Sequence, residues 1–207
     1  MGQWIDRNGS QEATLAAEAA TISEPPRAKE FGGDMSERSG ADAGVPEVAI
    51  LIGLQGSGKS TFFRDRLAGT HVHVSKDELG KRHRQRRQMR LIDEALTARR
   101  NVAVDNTNPS PEEWDPLIAM AREHGARVTG YWFPPDVPGS VRRNAARPPK
   151  TRVPDVGIFA TVNRLRRPRR SDGFDELRVV RFDGAGGFDV TAMNEAGDRQ
   201  EDAERHG

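Results

Sequence analysis

Val48-Ala49-Ile50-Leu51-Ile52-Gly53-Leu54-Gln55-Gly56-Ser57-Gly58-Lys59-Ser60-Thr61 is the stretch that decides the fold. Five apolar residues run directly into the spacing G-x-x-x-x-G-K-[ST], the Walker A pattern in the strand-then-helix context that gives it meaning. The glycines let the backbone turn tightly, so successive amide N–H groups point at negative charge, and the helix starting near Lys59 adds its positive end. Lys59 is expected to reach the β and γ phosphates of ATP, Ser60 to offer a hydroxyl ligand to Mg2+, and Thr61 to support the helix start. Gly53, Gln55, Gly56, Ser57, Gly58, Lys59, Ser60 and Thr61 are the expected nucleotide-binding set.

Outward from this loop, short apolar runs alternate with longer helical patterns, the signature of β-α-β units and a parallel sheet. Strands are expected at Val48–Ile52, His71–Val74, Val102–Val104, Arg127–Phe133 and Leu177–Arg181. Helices are expected at Lys59–Leu67, Glu78–Ala98, Pro111–His124, Ser140–Arg147 and Val156–Arg166. The last of these groups Val156, Phe159, Val162 and Leu165 toward one face, with Asp155 as its N-cap. The fold class read from this is α/β, a P-loop NTPase fold with a parallel sheet of about five strands flanked by helices and an Arg-rich helical lid.

The chain has 207 residues, enough for one domain of this kind with extra segments. Residues 1–44 are Ala-, Glu-, Ser-, Gly- and Pro-rich with no sustained apolar face, and read as a disordered acidic tail. The kinase-sized domain occupies 45–183, and 184–207 reads as a short strand or a loose acidic tail. Met35 lies inside the first tail and is a candidate alternative translation start. Cysteine is absent, so disulfides and thiolate metal sites are excluded, which fits a reducing cytoplasmic setting. No apolar run has membrane-spanning length, and the start carries neither a signal-peptide core nor a myristoylation pattern, with Asp6 where Ser or Thr is wanted. A cytoplasmic protein without membrane partners is the expectation.

The formal charge of +1 conceals a pattern. Residues 1–47 hold 4 basic and 9 acidic side chains, 48–170 hold 24 and 12, and 171–207 hold 4 and 10. A basic middle raises the local concentration of polyanions, and the acidic ends moderate nonspecific adhesion. Charge alone is equally compatible with a role in solubility.

Ligands of open α/β sheets sit beyond the carboxyl ends of the strands, so acids just past strands are of interest. Asp77 follows the expected second strand and Asp105 the third. A carboxylate that takes the proton of a hydroxyl acceptor accelerates phosphoryl transfer by about 10²- to 10⁴-fold. One acid suits that role, while the other suits the water shell of Mg2+ or support of the phosphate loop; each alone could also be a helix N-cap.

Three segments together narrow the reading. Gly53 to Thr61, then Val74-Ser75-Lys76-Asp77-Glu78-Leu79-Gly80, then Val104-Asp105-Asn106-Thr107-Asn108-Pro109 resemble the kinase domain of polynucleotide kinases over residues 48–182. The resemblance implies that Asp77 is the general base activating a 5′-hydroxyl, and that Asp105, Asn106, Thr107 and Asn108 line the acceptor site. Family members often carry Asn-Arg where this chain has Ser75-Lys76, so the acceptor contacts differ, and no Asp-x-Asp-Gly-Thr phosphatase motif is present.

Arg142 to Arg170 contains ten basic residues and one acid, Asp155. Arg143 and Arg147 share a helix face at i, i+4 and are expected to grip one phosphate. Arg142-Arg143-Asn144-Ala145-Ala146-Arg147 resembles the lid of the same family, with Arg147 preferred and Arg143 second as the lid arginine. A second cluster, Lys81 to Arg87 with Arg90, follows Asp77, and Lys81 and Arg82 are expected to meet acceptor phosphates. Aromatic residues make up 6% of the chain; Tyr131-Trp132-Phe133 reads as core, and Trp114 as core or a stacking partner. His71 and His73 alternate on a strand without a Cys or acidic ligand set beside them in sequence, so no zinc is expected.

The leading expectation is an ATP- and Mg2+-dependent kinase acting on the 5′-hydroxyl end of a nucleic acid, with Lys59, Asp77, Arg147 and Arg143 in catalytic roles. Its rivals are a P-loop kinase of a small metabolite or sugar nucleotide, and a binding module that uses ATP as a switch without transfer. No residue pattern sets an oligomeric state.

Overall fold

The structure is a computed structural model and describes residues 44–80 and 82–193. Of the expected tails, 1–44 and 184–207, residues 1–43 and 194–207 lie outside the described residues, as do Met35 and Lys81.

Strand β1 (Glu47–Ile52) is buried along its whole length, as a central parallel strand covered on both faces must be. The phosphate loop leads into helix α1 (Lys59–Phe62), which widens into a π-helical turn over Phe63–Leu67. Ala68 N donates to Phe63 O at 2.9 Å, closing that wider turn. The turn keeps Phe62, Phe63 and Leu67 all buried against the sheet. The remaining elements are β2 (His71–Val74), α2 (Arg84–Thr97), β3 (Asn101–Asp105), α3 (Pro111–Glu123), β4 (Arg127–Trp132), α4 (Val137–Ala145), α5 (Asp155–Arg164), β5 (Glu176–Phe182) and β6 (Phe188–Ala192).

The sheet order is β2-β3-β1-β4-β5-β6. The first five strands are parallel, and β6 pairs antiparallel with β5. The sheet therefore has six strands, one more than the expected parallel set. The Gly184–Gly187 turn makes the sixth possible: Asp183 Oδ1 accepts from the amides of Ala185 and Gly187, both at 2.8 Å, and reverses the chain. Ile92 and Leu96 of α2 and Trp114 and Leu117 of α3 pack in one core with the sheet residues Val48, Ile50 and Val104. Phe62, Phe63, Tyr131, Phe133 and Phe188 pack in a second with Ala49 and Leu51, residues of the alternate register of β1. Tyr131, Trp132, Phe133 and Trp114 are all buried, so Trp114 is a core residue.

Three expected helix starts shift. Helix α2 begins at Arg84 rather than Glu78, because Ser75 to Leu79 close into turns in which Glu78 N donates to Ser75 O and Leu79 N to Lys76 O. Asp77 therefore lies in a turn ahead of the helix and is no N-cap. Helix α4 begins at Val137, capped by the Asp136 side chain, which accepts from Gly139 N. Helix α5 is preceded by Pro154, and Asp155 is its first residue without a capping bond. Its expected apolar face also fails: Val156 and Phe159 are 76% and 52% exposed, while Ile158 and Thr161 are buried. Thr161 turns inward because its hydroxyl accepts from Gln55 Nε2 at 2.9 Å, tying α5 to the phosphate loop.

Candidate active site

Strand β3 lies between β2 and β1, so the ends of all three strands meet at one edge. That edge carries the turn holding Asp77, the Asp105 carboxylate and the phosphate loop. Gly56 and Gly58 occupy the left-handed region, with φ of 75° and 98°. A Cβ at Gly56 would lie 2.6 Å from Ser140 O in α4, and one at Gly58 would lie 2.8 Å from Phe182 Cζ. Both positions therefore require glycine for conformation and for space.

Two hydrogen bonds brace the loop from behind. Gly53 N donates to Thr107 O at 3.0 Å, and Asn108 Nδ2 donates to Leu51 O at 2.8 Å. Asn108 is 1% exposed and takes a positive φ of 41°. Of the expected acceptor-lining residues, it is the one the structure turns away from the cleft, because its amide joins β1 to β3.

Lys59 is 7% exposed, and its Nζ donates to Gly53 O at 2.9 Å, Leu54 O at 2.6 Å and Ser57 Oγ at 3.3 Å. Burial pulls its pKa down, Arg147 adds to that, and the Asp105 and Asp77 carboxylates oppose it, leaving it at about 8. Arg147 and Asp77, far apart in sequence, thus both act on the Lys59 ammonium.

Asp105 is buried. Burial pushes its carboxyl up, but His73, the nearby Ser60 hydroxyl and the charge of Lys59 outweigh it, so the group is held below the usual range. His73 Nε2 lies 3.2 Å from Asp105 Oδ2, and its Nδ1 lies 3.0 Å from Glu78 Oε1. These contacts, with Asp105 the largest, raise the His73 pKa against the effect of burial. Acids therefore do flank this histidine, brought by tertiary structure. Among the described residues, no group of three or more His, Cys, Asp or Glu side chains is arranged to hold a metal ion.

The turn after β2 is fastened to the loop after β3. Lys76 N donates to Asn106 Oδ1 at 2.8 Å, Asn106 Nδ2 donates to Gln88 Oε1 at 2.8 Å, and Ser75 Oγ donates to Asp105 O at 2.9 Å. These bonds fasten the turn that carries Asp77, and Asp77 lines the same cleft as the phosphate loop.

The segment expected to form a lid comprises α4, α5 and the residues between them. Arg143 Nε donates to Gly56 O at 2.6 Å, its NH2 group reaches Asp136 at 3.2 Å, and its guanidinium carbon stands 4.7 Å from the centre of the Phe182 ring. Arg147 lies just beyond α4, its N bonded to Asn144 O at 3.1 Å. The i, i+4 expectation therefore separates: Arg143 is fastened to the loop backbone, and Arg147 lines the cleft.

The cleft has a volume of about 440 Å³. It brings together Gln55, Gly56, Gly58, Lys59, Ser60, Asp77, Asp105, Asn106, Thr107 and Arg147 of the expected set. Gly53, Ser57, Thr61, Asn108 and Arg143 support its walls without lining it, and Arg82 is exposed away from it. Arg84, Lys150, Arg152 and Val153 also line the cleft, unpredicted. The signal for the three cations was the two basic clusters, which sequence could not resolve into facing and outward members. A phosphate loop, an inward lysine, two carboxylates and the cations Arg84, Arg147, Lys150 and Arg152 in one cleft form a site able to hold a polyphosphate beside a hydroxyl.

Among solved structures, the chain resembles AvrRxo1-ORF1:AvrRxo1-ORF2 with ATP, at 15% identity and a TM-score of 0.57, covering 78% of this chain and 64% of that one. It resembles a fungal RNA kinase at 16% identity and a TM-score of 0.51, over 67% of this chain and 38% of that one. Kti12 from Chaetomium thermophilum in complex with ADP-AlF3 matches at 15% identity and a TM-score of 0.50, over 76% of this chain and 96% of that one. The chain thus spans less than two thirds of the first two proteins, and all three likenesses are of fold. A family model described as an AAA domain matches residues 48–170, more than half of the sequence, and the chain belongs to that family.

Proposed function

We propose that the protein transfers the γ-phosphate of ATP to the 5′-hydroxyl end of a polynucleotide. The observation that carries this reading is the convergence of Lys59, Ser60, Asp77, Asp105 and Arg147 on one cleft at the strand ends. The phosphate-loop amides and Lys59 bind the β and γ phosphates. Ser60 and Asp105 supply oxygen donors of the hard type that suits Mg2+, which keeps most of its shell for water and phosphate. When bound, Mg2+ supplies neutralisation of charge on the phosphate oxygens.

Asp77 takes the proton of the acceptor hydroxyl as that oxygen forms its bond to phosphorus and the bond to the β-phosphate oxygen breaks. Asp105 is less suited to that task, because it is buried and its Oδ2 is already engaged by His73 at 3.2 Å. Arg147 faces the same space and is placed to neutralise charge on the transferring group. The resemblance of Val74–Gly80 and Val104–Pro109 to polynucleotide kinases supports a nucleic-acid end as acceptor, as does the cationic cleft wall of Arg84, Lys150 and Arg152. Incubation with γ-labelled ATP and a panel of 5′-hydroxyl and 5′-phosphorylated oligonucleotides, sugars and nucleosides tests it. Label is expected on 5′-hydroxyl oligonucleotides alone; label confined to a sugar or nucleoside would overturn the polynucleotide reading.

A further inference from the structure

A separate groove of about 680 Å³ lies between the start of α3 and the segment that follows α5. Its walls include Ser110 and Trp114 on one side and Arg164, Arg166, Arg167 and Arg169 on the other. The two acids in the wall are locally engaged. Glu112 accepts from the Ser110 hydroxyl, and Asp172 accepts from Arg169 N at 2.8 Å. Four guanidinium groups against these two carboxylates leave the lining net cationic.

The linings of the groove and the cleft approach each other along the segment that follows β3. Asp105, Asn106 and Thr107 line the cleft, and Ser110 and Pro111 line the groove. Only Asn108 and Pro109 separate Thr107 from Ser110, a reach of at most about 11 Å. Arg166 N donates to Pro109 O at 2.7 Å, which holds the arginine segment to that wall. A polar chain joins the same two places from the other side: Lys76, next to Asp77, bonds Glu113 at 2.8 Å, and Arg164 reaches Glu113 at 3.5 Å.

We propose that this groove binds the sugar–phosphate backbone of the acceptor strand, downstream of the 5′ end held at Asp77. The inference rests on the polynucleotide reading of the cleft and extends it to substrate length: a strand long enough to leave the cleft along the Asp105–Pro111 wall gains contacts that a dinucleotide lacks. Neither Arg164 nor Arg166 takes part in the transfer step.

The test compares full-length wild type with the Arg164→Gln/Arg166→Gln double variant on a 5′-hydroxyl dinucleotide and on a long 5′-hydroxyl oligonucleotide, across a salt series. In the wild type the long acceptor is expected to have the lower KM. In the double variant its KM rises by roughly tenfold, with kcat and all dinucleotide parameters unchanged. The slope of log KM against log salt for the long acceptor falls by about 1.4, the loss of two single-strand phosphate contacts. Arg164→Lys/Arg166→Lys, which keeps the charges, retains most of the length effect. Arg169→Gln gives a smaller change of the same sign and serves if the double variant does not fold. An unchanged long-acceptor KM in the variants, or an equal loss on both acceptors, overturns the groove while leaving the cleft reading intact. A wild type that labels neither oligonucleotide sinks the cleft reading itself, and the groove inference with it.

Discussion

Arg143 donates through Nε to Gly56 O at 2.6 Å, so a single guanidinium fastens lid helix α4 to the phosphate loop. Arg147, four residues on, makes no such bond and faces the cleft. The two arginines thus divide the work between holding the loop and meeting phosphate. Arg143→Ala is expected to weaken ATP binding by about tenfold or more, the loss of a hydrogen bond to a charged donor. Arg147→Ala is expected to slow transfer by about 10²- to 10³-fold with a smaller change in ATP affinity. Calorimetric ATP titration beside steady-state kinetics separates them; a larger loss of ATP affinity in Arg147→Ala than in Arg143→Ala would reverse the assignment.

The Lys59 ammonium makes a pH prediction. Its folded pKa of about 8 lies below the 10.5 of the free side chain, chiefly through burial. Below about pH 8 both folded and unfolded chains carry this charge, and the cost of burying it is fully present. That cost is relieved as pH rises from about 8 toward 10.5, because the folded protein sheds the proton first. Phosphate binding needs the charged form, so ATP affinity is expected to fall as pH climbs through about 8, and ATP binding near that pH takes up protons. Calorimetry in buffers of differing ionisation enthalpy reads the uptake. Lys59→Arg flattens the dependence, since a guanidinium stays charged; an ATP affinity in the wild type that holds constant to about pH 10 would contradict this account of Lys59.

Asn144 is fully buried and closes the lid on itself. Its Nδ2 donates to Val153 O at 2.6 Å, and its Oδ1 accepts from Val153 N at 3.0 Å. Asn144→Ala leaves both Val153 groups unpaired, at a cost of about 1–3 kcal/mol. Amide exchange over residues 146–154 is expected to accelerate, and the KM for ATP to rise, because Val153 lines the cleft. Exchange in that segment as slow as in the wild type would show that the pair does not hold the lid.

Much of this arrangement was legible because its chemistry is local. The glycines, Lys59 and Ser60 carry the phosphate loop within eight residues, and the apolar run before them places it at a strand end. The acids after β2 and β3 were visible for the same reason. What sequence could not supply was tertiary. Asn108 looked like an acceptor contact, but its amide is consumed by Leu51 and Val104 on neighbouring strands. Helix α5 buries Thr161 rather than Phe159, because Gln55 of the loop needs that hydroxyl. The engagement of Asp105 by His73 depends on the pairing of β2 with β3, in which His73 sits opposite Ala103. Arg84 and Arg152 were each one among many arginines until the cleft selected them.

The central claim concerns Asp77. Single-turnover transfer of label from γ-labelled ATP to a 5′-hydroxyl oligonucleotide, measured for wild type and Asp77→Asn with ATP affinity determined in parallel, tests it most directly. The account predicts a fall of about 10²- to 10⁴-fold in the transfer rate with ATP affinity preserved. Transfer at the wild-type rate by Asp77→Asn would contradict it.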